Sequence, residues 1–141
     1  MKSLIFAFGT DDGLSFTNRH FGDSSRFDIY EISNQDVKYV KHIDNNSEEE
    51  EDVHADPTKA KSIATILKKE QVQAVVSKQF GPNILRIKKK FVCIKSLSQT
   101  IEEIQNLIKD NFDLIDSVLL DGEDRGYIVE KSDLSFNYVK K

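Results

Sequence analysis

The chain has 141 residues, of which 38% are hydrophobic and 31% are charged, proportions typical of one globular domain. Its net charge of −4 disfavours general nucleic-acid binding, which requires clustered Lys and Arg. The longest apolar run is too short to span a membrane, and the first residues lack the pattern of a signal peptide. The single cysteine, Cys93, excludes an internal disulfide and any Cys-x-x-Cys pair for zinc or an iron–sulfur cluster. These features predict a cytoplasmic protein that binds neither membranes nor nucleic acid.

The first part of the chain has the pattern of β-strands. Residues Leu4 to Phe8 are continuously apolar, as expected for a central strand that is buried on both faces. Two further strands are predicted over Phe27 to Ile32 and Val37 to Ile43. The turn-forming residues Ser33 to Asp36 between them indicate a hairpin.

The second part of the chain alternates helices and strands. Asp56 and Pro57 form a favourable helix start. The helix that follows has one apolar stripe at helical spacing, made of Ala60, Ile63, Ala64 and Leu67. The later predicted elements are a strand at Val72 to Val76, a short helix at Pro82 to Lys90, a strand at Phe91 to Ile94 and an amphipathic helix after Ser98.

This order of elements predicts an α/β fold with a mixed five-stranded sheet, because a hairpin precedes parallel crossover units. If the hairpin lies on one side of the first strand and the later strands on the other, the carboxyl ends of strands one and four flank a crevice. Ligands favour such crevices. The two loops that would line it are Gly9 to Gly13 and Gln79 to Pro82, and the second precedes a helix whose first amides would attract an anion.

One histidine lies in the long loop between the first two strands, within Asn18-Arg19-His20-Phe21-Gly22. Ordered loops of this length more often have a function than serve only to connect two strands. A histidine in such a loop can coordinate a metal, and it can equally cap a turn or hydrogen-bond its own backbone. From the residues alone, both interpretations of His20 stay open.

The sequence resembles the dinitrogenase iron–molybdenum cofactor biosynthesis family, whose small domains carry or deliver nitrogenase cofactor precursors. The matching segments are Thr10-Asp11-Asp12-Gly13, the Asn18 to Gly22 motif, Phe27-x-Ile29-Tyr30-Glu31, and Val72 to Val76 followed by Gly81-Pro82. The resemblance covers residues 1–110. It implies a three-layer, ribonuclease H-like domain over that range and leaves residues 111–141 as a C-terminal extension of unknown role.

The resemblance also implies a function. The protein would be a non-catalytic carrier of an iron–sulfur or iron–molybdenum-type cluster, with cluster donor and acceptor proteins as partners and His20 as the metal ligand. The other implied cofactor-binding residues are Thr10, Asn18, Phe21, Gly22, Gly81 and Pro82. The alternative is a small-molecule or protein interaction domain that keeps the scaffold without the cluster. A nuclease is disfavoured because the first strand, Leu4 to Phe8, holds no carboxylate for a two-metal site.

The remaining polar features have simpler interpretations. The acidic run Glu48 to Asp52, with His54 after it, is typical of a solvated loop. His42 is expected to be exposed on a strand, and Cys93 is expected to be an inert core residue. Lys88 to Lys90 is interpreted as the solvated end of a short helix. In the extension, Tyr127 to Val129 is a candidate for a short added strand.

Overall fold

A seven-stranded mixed sheet organises the protein. The computed structural model describes residues 2–47 and 57–140. The strands are β1 (Leu4–Thr10), β2 (Arg26–Ile32), β3 (Val37–Asp44), β4 (Ala74–Ser77), β5 (Val92–Lys95), β6 (Tyr127–Glu130) and β7 (Phe136–Val139). Their spatial order is β3-β2-β1-β4-β5-β6-β7. The predicted five-stranded sheet is therefore wrong in its number of strands, because the C-terminal extension adds β6 and β7.

Strand β1 lies inside the sheet, as its apolar sequence predicted. It pairs antiparallel with β2 on one side and parallel with β4 on the other. Phe6 and Phe8 point to one face and Ala7 to the other, and all three are fully buried. The hairpin β2–β3 lies on one side of β1 and the later strands on the other, so the predicted arrangement around β1 is confirmed.

Helices cover both faces of the sheet. They are α1 (Pro57–Lys69), α2 (Ile84–Ile87), α3 (Ile101–Asp110) and α4 (Phe112–Leu120). One core cluster joins the sheet to α1 and α2, and it buries Ala60, Ile63 and Leu67 of the predicted stripe. The second cluster joins the opposite face to α3 and α4. The layers are therefore helix, sheet and helix.

Two helix boundaries differ from the sequence-based prediction. The predicted helix Pro82 to Lys90 is reduced to the single turn of α2, with hydrogen-bonded turns on both sides. Helix α3 begins after Thr100, because Thr100 and Glu103 form a reciprocal capping box. The predicted N-cap Asp56, the acidic run and His54 lie outside the described residues.

The C-terminal extension is built into the same core. The buried residues Phe112, Ile115 and Val118 of α4 pack with β5 and α3 in one cluster, and Ile128 of β6 joins them. Strand β6 pairs parallel with β5, and β7 pairs antiparallel with β6. The suggested strand at Tyr127 to Val129 is therefore present. In the described part of the chain, no helix combines the length and apolarity needed to cross a membrane.

Candidate functional site

The candidate site lies at the carboxyl ends of β1 and β4. Strands β1 and β4 are parallel neighbours that end at Thr10 and Ser77. After β1 the chain enters β2, which pairs antiparallel with β1 on its other side. Such a point in an α/β sheet opens a crevice between the two loops that follow the strands. The two loops are residues 11–25 and residues 78–83, and they contact each other through the Phe21 amide and the His20 ring.

His20 lies where these two loops touch. It is the N-terminal flanking residue of a short 3-10 helix, Phe21–Asp23, and its carbonyl accepts a 2.8 Å hydrogen bond from the Asp23 amide. The next amide, that of Phe21, donates to the carbonyl of Gln79 at 2.8 Å, which ties the two loops together. The His20 side chain is half-buried.

The imidazole of His20 packs directly against Gly81. A Cβ atom built on Gly81 would lie only 2.5 Å from both Nδ1 and Cε1 of the ring, so no larger residue fits without displacing it. Gly81 also has φ +67°, a conformation that favours glycine. The structure therefore brings together two of the residues singled out from the sequence, and the glycine is required both for its backbone and for the ring beside it.

Phe21 and Gly22 hold His20 in position from the side of the core. The Phe21 ring is fully buried, with centroids 4.9 Å from Phe27 and 5.3 Å from Phe80. Gly22 lies against α1, where an added Cβ would approach Lys59 Cε to 3.2 Å. These two residues face the core rather than the crevice, so their part is to hold His20 in position.

A buried ion pair reinforces that anchor. The ammonium of Lys59, on α1, lies 3.1 Å from Asp23 Oδ1, and the Lys59 side chain is only 3% exposed. A charge pair shielded from water is screened much less by salt than a surface pair. Helix α1 therefore fixes the far end of the same short helix that begins at His20.

Thr10 is an organiser of the first loop. Its hydroxyl donates to the Ser15 carbonyl at 2.5 Å and accepts from the Gly13 amide at 2.9 Å, and the residue is fully buried. Its hydrogen-bonding capacity is directed into the turn. Asn18 is exposed on the outer part of the same loop. Thr10 thus shapes the crevice wall, and Asn18 lies on its surface.

Asp11 and Asp12 hold that loop through their carboxylates. Asp11 accepts from the Ser25 amide at 2.8 Å, from Thr17 Oγ1 at 3.0 Å and from the Arg19 guanidinium at 2.9 Å. Partial burial raises the pKa of Asp11, but the hydrogen bonds from Ser25, Thr17 and Arg19 outweigh it and leave the pKa below its ordinary value. Asp12 accepts from two amides of the turn, and these bonds lower its pKa as well.

The second loop offers less to an anion than the sequence suggested. Pro82 is exposed, and the single-turn helix α2 begins two residues after it. The amides of Ile84 and Leu85 already donate to the carbonyls of Gly81 and Pro82, at 3.1 and 3.3 Å. These two donors of the helix start are therefore engaged within the loop, which weakens the predicted electrostatic contribution near Gly81.

Two buried polar residues at this edge were not predicted from the sequence. The Ser77 hydroxyl has no hydrogen-bond partner among the described residues and lies beneath the His20 turn, close to Gly9 and Ser24. The Glu130 carboxylate, at the end of β6, accepts from the Leu97 amide at 2.7 Å and the Ser98 amide at 3.0 Å. The sequence does not indicate that Ser77 or Glu130 is buried, because each is a polar residue that directly follows a predicted apolar strand.

The donor set of the edge is poor in thiolate. Cys93 lies on β5 in the core beneath α1, is fully buried and is far from reactive, because burial raises the pKa of its thiol. Within residues 2–47 and 57–140, no three His, Cys, Asp or Glu side chains converge as a metal site. Among the ligand candidates identified from the sequence, His20 is the side chain that the fold places half-exposed at the crevice.

Comparison with known proteins places the chain in a family. A family model described as dinitrogenase iron–molybdenum cofactor matches residues 2–111. A search of curated proteins gave no match. A crystal structure of a candidate dinitrogenase from Methanocaldococcus jannaschii has 23% identity and a TM-score of 0.55, and covers 79% of this chain and 92% of its own.

An NMR structure of a candidate dinitrogenase from Methanococcus jannaschii gives 20% identity and a TM-score of 0.51, with the same coverage of both chains. At these identities the structures support the fold alone. The family model spans most of the chain and agrees with the resemblance found in the sequence. The chain belongs to the dinitrogenase iron–molybdenum cofactor family.

Proposed function

We propose that this protein is a non-catalytic carrier of an iron–sulfur or iron–molybdenum-type cluster, and that His20 coordinates the cluster at the crevice between β1 and β4. The observation that carries the proposal is the fixed position of the imidazole. It is half-buried, lies against Gly81 and is anchored by the buried Phe21 ring. The order of the first five strands, 3-2-1-4-5, also supports the ribonuclease H-like assignment of the scaffold.

The chemistry of the edge suits a cargo rather than a resident cofactor. One imidazole and a few uncharged polar groups hold a preformed cluster much less tightly than four thiolates do. Weak holding is what transfer between a donor and an acceptor protein requires. The partners of this protein would therefore be a cluster-assembling donor and a cluster-receiving acceptor.

An anaerobic titration with a cluster donor tests the proposal. We expect the wild-type protein to retain iron after desalting, and His20→Ala to lose most of it with an unchanged thermal midpoint, because a half-exposed loop side chain contributes little to the core. His42→Ala is the matched control, since His42 is exposed on β3. Equal iron retention by the wild-type protein and His20→Ala would contradict the assignment.

The second candidate function is a small-molecule or protein interaction domain on the same scaffold. The burial of Cys93 favours it, because the chain's one thiol is withheld from any ligand at the crevice. A wild-type protein that retains no metal after the anaerobic titration would support this second function.

A further inference from the structure

A groove with cationic walls runs beside α1 on the helical layer that also supports the His20 turn. Its volume is about 660 Å³. Lys61 and Lys68 of α1 line one side, and Arg86, Lys89 and Lys90 of the α2 region line the other. The chain as a whole carries a net charge of −4, so this concentration of positive charge is local.

Among residues 2–47 and 57–140, no carboxylate neutralises these cations through an ion pair, although Glu123 also lines the groove. Burial, followed by the nearby charges of Arg125 and Lys90, lowers the pKa of Lys68. Lys68 also donates to the Lys90 carbonyl at 3.0 Å, so it links the two walls.

The floor of the groove is apolar and made of small residues. Ala60 is 6% exposed, Ala64 is half-buried, and Pro57 also lines the groove. Small side chains on a helix surface leave room for the side chains of another segment to pack against the backbone. The groove therefore combines an apolar strip with charge on both sides.

We propose that this groove binds an acidic segment of a partner protein, whose carboxylates meet the two walls and whose apolar side chains contact Ala60 and Ala64. The proposal does not depend on the cluster-carrier role. Compact phosphate sites gather backbone amides or Arg forks around one point. Here four of the five cations are lysines, and they lie on both walls of a groove beside α1, a helix about 20 Å long. That distribution fits a segment with several carboxylates better than one phosphate group.

The test uses a dye-labelled helical peptide of about twelve residues, rich in Glu and Leu, which matches the length of α1. We expect fluorescence anisotropy to detect binding to the full-length protein at low salt, and salt to weaken it. The double variant Lys61→Glu/Lys89→Glu should weaken binding by about tenfold or more, because two attractive contacts become repulsive.

A charge-matched control separates the groove from the overall charge. Lys38→Glu/Lys131→Glu changes the net charge equally on exposed lysines away from the groove, and it should bind the peptide within about twofold of wild type. A second peptide with Leu replaced by Ser should bind more weakly, because it lacks the apolar contacts.

Three results would overturn the proposal. They are equal weakening by the two double variants, absence of peptide binding at low salt, and tighter binding of pyrophosphate or a single-stranded oligonucleotide than of the peptide. Thermal midpoints of both double variants establish that the compared proteins are folded.

Discussion

At the scale of single residues, the site depends on the contact between His20 and Gly81. The ring and the glycine come from loops that follow different strands, and the Phe21 amide bonded to Gln79 joins those loops. An imidazole held in this way needs little reorganisation to accept a ligand. The contact brings together the Asn18 to Gly22 motif and the Gly81-Pro82 pair, which lie far apart in the sequence.

Replacing Gly81 with Ala should displace the His20 ring. We expect Gly81→Ala to destabilise the protein by about 1–3 kcal/mol and to reduce cluster retention, because it adds a positive-φ penalty and a clash with the imidazole. Gly122→Ala is the control, since Gly122 has the same φ of +67° but nothing within 4 Å of an added Cβ. Chemical denaturation and metal analysis would measure both effects. Equal metal retention by the two variants would show that the ring contact is unimportant.

Replacing Cys93 should lower the stability of the protein without affecting cluster binding. We expect Cys93→Ser to lower the free energy of unfolding by about 1–3 kcal/mol, because it buries a hydroxyl in the core. Burial raises the pKa of the native thiol, so iodoacetamide at pH 8 should label the protein only after denaturation. Rapid labelling of the folded protein, or selective loss of cluster binding in a well-folded Cys93→Ser variant, would contradict this account.

At the scale of elements, local sequence patterns predicted most of the strands and helices. The apolar run of β1 placed it inside the sheet, and the stripe on α1 identified its buried face. Helix α4 was not predicted, because it follows α3 after a single residue, Asn111, without Gly or Pro. The roles of Ser77 and Glu130 could not be predicted either, since their burial arises only when distant segments meet.

The loop after β1 should depend on the ionised form of Asp11. Its folded-state pKa is lowered, so its stabilising effect is present above the unfolded pKa and is lost as pH falls through the folded value. We expect Asp11→Asn to be less stable than wild type at pH 7, and the difference to shrink below about pH 4. Denaturant titrations across this range would measure it. A difference that stays constant down to pH 2 would refute the assignment.

The loop after β5 should depend on Glu130. We expect Glu130→Gln to increase hydrogen exchange at the Leu97 and Ser98 amides and to cost about 1–3 kcal/mol of stability, because buried donors lose a charged acceptor. Glu102→Gln, on the exposed side of α3, serves as the control and should change neither quantity. Unchanged exchange at the two amides in Glu130→Gln would show that the carboxylate does not order this loop.

At the scale of the whole molecule, the C-terminal extension completes the fold. The family model ends at residue 111, yet α4, β6 and β7 contribute buried residues and two strands to the one sheet. Without them, the β5 edge and the apolar face beneath α4 would be exposed. The sequence indicated β6 but gave no sign that the extension belongs to the core.

Truncation should therefore distinguish the parts of the extension. We expect a chain that ends at residue 111 to be unfolded or aggregated, because it loses Phe112, Ile115 and Val118 from the core. A chain that ends at residue 131 lacks only the half-exposed β7 and should remain folded with reduced stability. Circular dichroism and size-exclusion chromatography would report both outcomes. A stable monomer ending at residue 111 would contradict this role of the extension.

Coordination of the cluster by an imidazole of this protein would leave a spectroscopic signature. Pulsed electron paramagnetic resonance of the reduced, cluster-loaded protein with ¹⁵N-labelled histidine would detect it, using His42→Ala/His54→Ala so that His20 is the remaining histidine. We expect a strong hyperfine coupling to one directly bound imidazole nitrogen. A loaded cluster with no histidine nitrogen coupling would contradict it.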